Sequence, residues 1–226
     1  GLKIAISSPH NDEVRINAGY VRVYEWNSAS ENWDKVGSNI VGKREYDSSG
    51  TSIAMSANGN TIIIGAPNAD ITDSGLEVVN TGHVRVFEWN ELVLDWEQTG
   101  LDIDGENRND NFGSSLSVNS IGNIFVSGAL SYDTTATDTG YARVYKYTLL
   151  SDLQIAGYEP NDLKDGGYRI TQLQAANYTD EQILSSKYPI TQVKNAGYTD
   201  ADVLGAGYTS SELLAAGYTA KNLYNN

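Results

Sequence analysis

"AGYTSSELLAAGYTAKNL", residues 206–223, places Tyr208, Leu213, Tyr218 and Leu223 five apart. Neither a helix nor a strand has that period. The lattice runs back without a slip to Leu153. Aliphatic residues hold Leu153, Leu163, Leu173, Ile183, Val193, Val203, Leu213 and Leu223, and tyrosines hold Tyr158, Tyr168, Tyr178, Tyr188, Tyr198, Tyr208 and Tyr218. Because the two kinds alternate, the true unit is ten residues.

A chain of very short helices explains the spacing. Thr209 can cap a helix whose third residue, Glu212, completes a capping box. Tyr208, just before the cap, then packs on Leu213 as a hydrophobic staple. Gly217 suits the left-handed residue that ends the helix, and Tyr218 beyond it returns to the same Leu213. Both contacts require a spacing of five. The same frame puts Pro160 at a first helical position, where proline is favoured. Gly157, Gly167, Gly197 and Gly207 recur at the terminator, with Asn177 and Lys187 as substitutes.

The alternative is a β-solenoid of pentapeptide type, which "ADVLG" and "AGYTS" distantly resemble. Its inward slot would have to hold Asn161, Glu181 and Lys221, and its narrow core would have to satisfy the tyrosine hydroxyls. Residues 149–226 are therefore expected to form a decapeptide solenoid of short helices, with the seven tyrosines as structural staples. A six-residue helix does not stand alone, so neighbours must stack into a rod or spiral. Such a region reads as a spacer or an assembly surface.

Residues 1–148 carry a different repeat. "GYVRVYEWN" (Gly19–Asn27) returns as "GHVRVFEWN" (Gly82–Asn90) and as "GYARVYKY" (Gly140–Tyr147). "GTSIAMSANGNTIIIGA" (Gly50–Ala66) returns as "GSSLSVNSIGNIFVSGA" (Gly113–Ala129), and Trp33 and Gly37 return as Trp96 and Gly100. Each unit holds four strand-type runs. "SIAMS" and "TIIIGA" flank the turn dipeptide Asn58-Gly59, "VRVFEW" alternates apolar and polar residues, and "WEQTGLDI" is a weaker fourth. Four antiparallel strands repeated in tandem are the signature of a propeller blade.

These motifs resemble FG-GAP repeats, the blades of integrin-α-like propellers. Phe112-Gly113 and Gly128-Ala129 open and close one copy; another keeps Gly65-Ala66-Pro67 but has Ser49 in place of the phenylalanine. The resemblance implies about two and a half four-stranded units of an incomplete propeller. The family's calcium loop does not carry over, because the turns "SANGN" and "VNSIGN" lack its carboxylates. Closed propellers need at least four blades. The missing ones are expected either before Gly1, in a longer polypeptide of which this chain is a piece, or on other chains.

The net charge of −14 argues against nucleic acid as a partner, and the acidity concentrates in residues 1–150. No stretch has the length and apolarity of a membrane span. The absence of Cys removes disulfides, thiolate zinc sites and Cys nucleophiles, and fits life at a surface or outside the cell.

Candidate chemistry is thin. His10 and His83 are the only histidines, and His83 stands where the other copies have Tyr20 and Tyr141, which marks it as structural. "DIDGENRNDN" (Asp102–Asn111) is the densest carboxylate stretch. Its Asp102, Asp104, Glu106 and Asp110 are candidate oxygen ligands for calcium, against the plainer reading of a solvated acidic loop. Asp70 and Asp73, in the long loop Asn68–Gly82, mark a candidate partner site. Trp26, Trp33, Trp89 and Trp96 form two equivalent pairs, which favours packing over sugar stacking. Asn177-Tyr178-Thr179 is a lone glycosylation sequon.

The expectation is a non-enzymatic structural or adhesive repeat protein. It would act through contacts with other protein chains, by self-assembly or within a longer polypeptide, outside the cell or on a cell, virion or filament surface. A carbohydrate-binding propeller, or a propeller hydrolase or lyase with its site elsewhere, is the alternative.

Overall fold

The computed structural model describes residues 2–73, 76–131, 140–148, 150–203 and 205–218. They divide into two compact units: Gly1–Trp89 with Leu94–Tyr147, and Thr148–Asn226 with Asn90–Val93.

In the first unit, β1 (Lys3–Ser8), β2 (Tyr20–Asn27), β3 (Asn32–Lys35) and β4 (Ile40–Val41) make one sheet. The order is β1-β2-β3, with β4 also paired to β2. Next come β5 (Ser52–Met55), β6 (Thr61–Ala66), the small hairpin β7 (Ile71–Asp73) and β8 (Leu76–Val78), then β9 (His83–Asn90) and β10 (Asp95–Asp104). The second sheet has the order β10-β9-β6-β5. A third, β11-β12-β13, uses β11 (Ser115–Val118), β12 (Ile124–Ala129) and β13 (Tyr141–Lys146).

The three sheets coincide with the three sequence copies, but not all have four runs. The first has no counterpart of β5, and the third has no counterpart of β10 among the described residues. The fourth run, the weakest in sequence, is the ten-residue β10 in the second copy; in the first it breaks into β3 and β4 around Val36-Gly37-Ser38. The stretch Asn68–Gly82, read as a loop, folds its own hairpin in β7 and β8.

Two apolar layers separate the three sheets. Val21 and Val23 of the first meet Ile62, Ile64, Phe87 and Trp96 of the second. Ile63, Val84 and Val86 of the second meet Phe125 and Tyr145 of the third, with Phe112 from the segment that precedes β11. Alternation along a strand sends Ile62 and Ile64 to one face and Ile63 to the other. Hence β6 is buried along its whole length, whereas β13 alternates between half-buried and exposed.

Among the described residues of the second unit seven short helices follow: α1 (Leu150–Ile155), α2 (Pro160–Asp165), α3 (Ile170–Ala175), α4 (Asp180–Ser185), α5 (Ile190–Asn195), α6 (Asp200–Val203) and α7 (Ser210–Ala215). Their first residues are spaced ten apart throughout. The pentapeptide β-coil is not what forms, because each decapeptide satisfies its own backbone as a helix. Thr209 Oγ1 accepts from the Glu212 N–H at 3.3 Å while the Thr209 N–H donates to the Glu212 carboxylate at 2.8 Å. Thr179 and Gln182 repeat the box on α4.

The C-terminal ends are equally regular. The Tyr218 N–H donates to Leu213 O at 3.0 Å and the Gly217 N–H to Leu214 O at 2.9 Å, the two bonds of a Schellman ending. Gly217 has φ +78°; Asn177 and Lys187, its substitutes, adopt +64° and +54°. Past α6 a second glycine, Gly205 at φ +80°, precedes the Gly207 terminator. Leu163, Leu173, Ile183, Val193, Val203 and Leu213 are buried in one continuous core with Tyr178, Tyr188, Tyr198 and Tyr218. Leu223 lies outside the described residues.

Candidate functional site

The acidic stretch does not act as one cluster. Asp102 and Asp104 end β10, two residues apart and therefore on one face of the strand. There they meet His83, the first residue of β9, with ligand-type atoms of all three within 4.8 Å. Glu106 lies beyond the strand and accepts from the Arg143 guanidinium at 2.6 Å. Asp110 is fully buried, and its Oδ2 accepts the N–H groups of Glu106 and Asn107 at 3.0 and 2.8 Å. Asp47, its counterpart in the first copy, is likewise buried and accepts from the Arg44 N–H at 2.8 Å. Asp110 is thus a turn-closing carboxylate that the repeat conserves internally, a feature hidden by the loss of acids around Asp47.

Among the described residues, His83, Asp102 and Asp104 are the set that could hold a metal ion. The positive charge such a set needs is already supplied by protein: Lys43 Nζ donates to both carboxylate oxygens of Asp102 at 2.7 Å, and Gln98 adds a third bond at 2.8 Å. Burial pushes the Asp102 carboxyl up, but these donors outweigh it and hold it below the usual range. Burial and the neighbouring charge of Asp102 raise Asp104. His83 is depressed to about 4, first by burial and then by the Arg85 guanidinium. It is neutral at pH 7, with Nδ1 4.0 Å from Asp102.

Asp70 fixes its own loop, its Oδ1 accepting the Asn80 N–H at 2.7 Å and its carbonyl accepting from Arg44 at 2.7 Å. Asp73 ends β7, and its side chain lies outside the described residues. His10 is exposed in a turn. The two Trp pairs have the same edge-on geometry, with centroids 5.5 Å apart in Trp26–Trp33 and in Trp89–Trp96. Their surroundings differ. The second pair is covered by Val36-Gly37-Ser38 of the first sheet: Trp96 Nε1 donates to Val36 O at 3.0 Å, and a Cβ on Gly37 would lie 2.9 Å from the Trp89 ring. Trp26, at 39% exposure, has no such cover.

The tyrosines do more than their spacing announces. The hydroxyl of Tyr178 donates to Tyr158 O at 2.7 Å, Tyr188 to Tyr168 O at 3.0 Å, Tyr208 to Tyr188 O at 2.8 Å and Tyr218 to Tyr198 O at 3.1 Å. Each tyrosine thus secures a carbonyl just past a helix end, twenty residues earlier, that its own helix cannot use. Tyr198 departs from the rule and donates to the Asp180 carboxylate at 2.8 Å. Lysines run the other way along the stack. Lys164 Nζ donates to Ser186 O at 2.6 Å, Lys194 to Ala216 O and Gly217 O at 2.8 and 2.6 Å, and Lys187 to Ala206 O. Such cations suit the negative end of a helix. Successive bonds therefore tie every decapeptide to the second one along.

Residues 149–226 match the family model of a decapeptide repeat region. No FG-GAP or integrin-like model matches the chain, and no curated protein matches it. Among the described residues no helix is long and apolar enough to cross a membrane.

Proposed function

We propose that this is a non-enzymatic structural or adhesive protein, built from FG-GAP-like blades of an incomplete propeller and a decapeptide rod, that works through contacts with other protein chains. One observation carries the reading: the first sheet presents Ile6 (51% exposed) and Trp26, whose counterparts Ile64 and Trp89 are packed against a neighbouring sheet. Exposed apolar faces of this kind mark association surfaces. The titratable groups support it, since Asp102, Glu106 and Asp110 are each held by structural partners and no nucleophile–base pair accompanies them among the described residues. Strong acidity and the lack of Cys fit an extracellular, cell-surface or virion setting.

Sedimentation velocity from micromolar to hundreds of micromolar protein tests the reading: a concentration-dependent shift to larger species is expected, and a monomer throughout overturns it. The exposure of Trp26 beside Trp33 favours carbohydrate binding as the second reading. Saturable quenching of tryptophan fluorescence by glycans, lost in Trp26→Ala, would establish that reading instead.

A further inference from the structure

Both junctions between sheets pair the same kinds of face. On the leading sheet stand small aliphatics, Val21 and Val23 or Val84 and Val86. On the following sheet stand rings, Phe87, Trp89 and Trp96 or Phe125 and Tyr145. Copy-to-copy equivalence then identifies the two faces left over. The first sheet keeps an unused following face, with Ile4, Ile6, Tyr24 and Trp26 at the positions of Ile62, Ile64, Phe87 and Trp89. The third keeps an unused leading face, with Val126, Ala142 and Val144 at the positions of Ile63, Val84 and Val86. Val144 is 73% exposed where Val86 is 4%.

We infer that these two faces bind each other between two copies of this chain, head to tail, so that the third sheet of one copy covers the first sheet of the other. The occupant follows from the repeat itself: a surface of the required kind exists on the same polypeptide, and the pairing already occurs twice within it. The inference rests on the reading of the protein as one that works through protein contacts. Ile4, Ile6 and Tyr24 meet Val126, Ala142 and Val144 at the centre. Trp26 and Trp33 lie at the rim, because among the described residues the third sheet has no counterpart of the Val36-Gly37-Ser38 segment that covers Trp96. The contact is heterologous, so it closes into a ring or propagates. Two copies bring together six sheets, within the roughly four to eight at which rings of sheets close; a closed dimer is expected.

The full-length chain tests this by sedimentation velocity with Ile6→Asp and Val144→Asp. Both positions are exposed, and unchanged circular dichroism with an unchanged thermal midpoint at dilution verifies folding. Each variant alone is expected to be monomeric where the wild type is dimeric. An equimolar mixture is expected to restore a dimer held by one intact junction, because the third sheet of Ile6→Asp and the first sheet of Val144→Asp are both unaltered. Dimers that persist in both single variants overturn this face assignment while leaving the protein-contact reading in place. A mixture that stays monomeric overturns the head-to-tail pairing. A wild type that is monomeric at every concentration overturns both.

Discussion

His83 stands where the flanking copies carry Tyr20 and Tyr141, and it brings a titration into a junction that otherwise has none of that kind. Its folded value of about 4 lies below the ordinary 6.5, so the unfolded chain takes up a proton first as pH falls. The stability this group contributes is complete above pH 6.5 and is lost as pH drops through 4. Between pH 7 and pH 5 the loss is roughly 2 kcal/mol. His83→Phe is therefore expected to flatten the urea-unfolding free energy over that interval by about that amount. Buried Glu88 and Asp47, whose carboxyls burial raises, slope the other way. They do so in both proteins, and the difference between wild type and variant isolates His83. Gly37 offers a second test: at φ +71°, with a Cβ facing Trp89 and Trp96, Gly37→Ala is expected to cost about 2 kcal/mol or more and to red-shift the tryptophan emission.

At the scale of the element, the tyrosine hydroxyl is the quantity to vary. Tyr188 is almost completely buried, and its hydroxyl, raised by burial, donates to Tyr168 O. Tyr188→Phe removes one part-buried hydrogen bond, an expected loss of about 1 kcal/mol in thermal or urea unfolding followed at 222 nm. Tyr158 is 49% exposed, so Tyr158→Phe is expected to be nearly silent. The contrast explains what the sequence could and could not disclose. Caps and terminators are legible because Thr209, Glu212 and Gly217 act within one helix, where spacing alone determines partners. The twenty-residue tie is not, because a perfect ten-residue lattice looks the same whether a tyrosine reaches the first, second or third repeat away. The acidic loop fails for a related reason. "DIDGENRNDN" is one composition, but strand alternation carries Asp102 and Asp104 to His83, while Glu106 and Asp110, beyond the strand end, turn to Arg143 and to the loop backbone.

At the scale of the molecule, two repeats of very different length obey one rule: no unit buries its own apolar surface, and each is completed by another. In residues 1–148 the completing surface is the next sheet, and equivalence between copies identifies which faces are left open. In residues 149–226 it is the second decapeptide along, and the rule makes the number of repeats adjustable. Excision of Tyr188–Gly197 joins Lys187 to Tyr198 and preserves the lattice. Tyr208 then stands twenty residues beyond Tyr178 and can donate to its carbonyl, so helicity per residue is expected to persist with a somewhat lower midpoint, as for a linear array of coupled units. Excision of the five residues Val193–Gly197 instead brings every later tyrosine to an aliphatic position and every later aliphatic to a tyrosine position. Hydroxyls then enter the core and the N-caps lose their phase. The full chain is expected to lose most of the ellipticity at 222 nm contributed by α5–α7, while tryptophan emission, which arises wholly from residues 26–96, holds steady. Equal effects from the two excisions would mean that the five-residue spacing is not what the helices are built on.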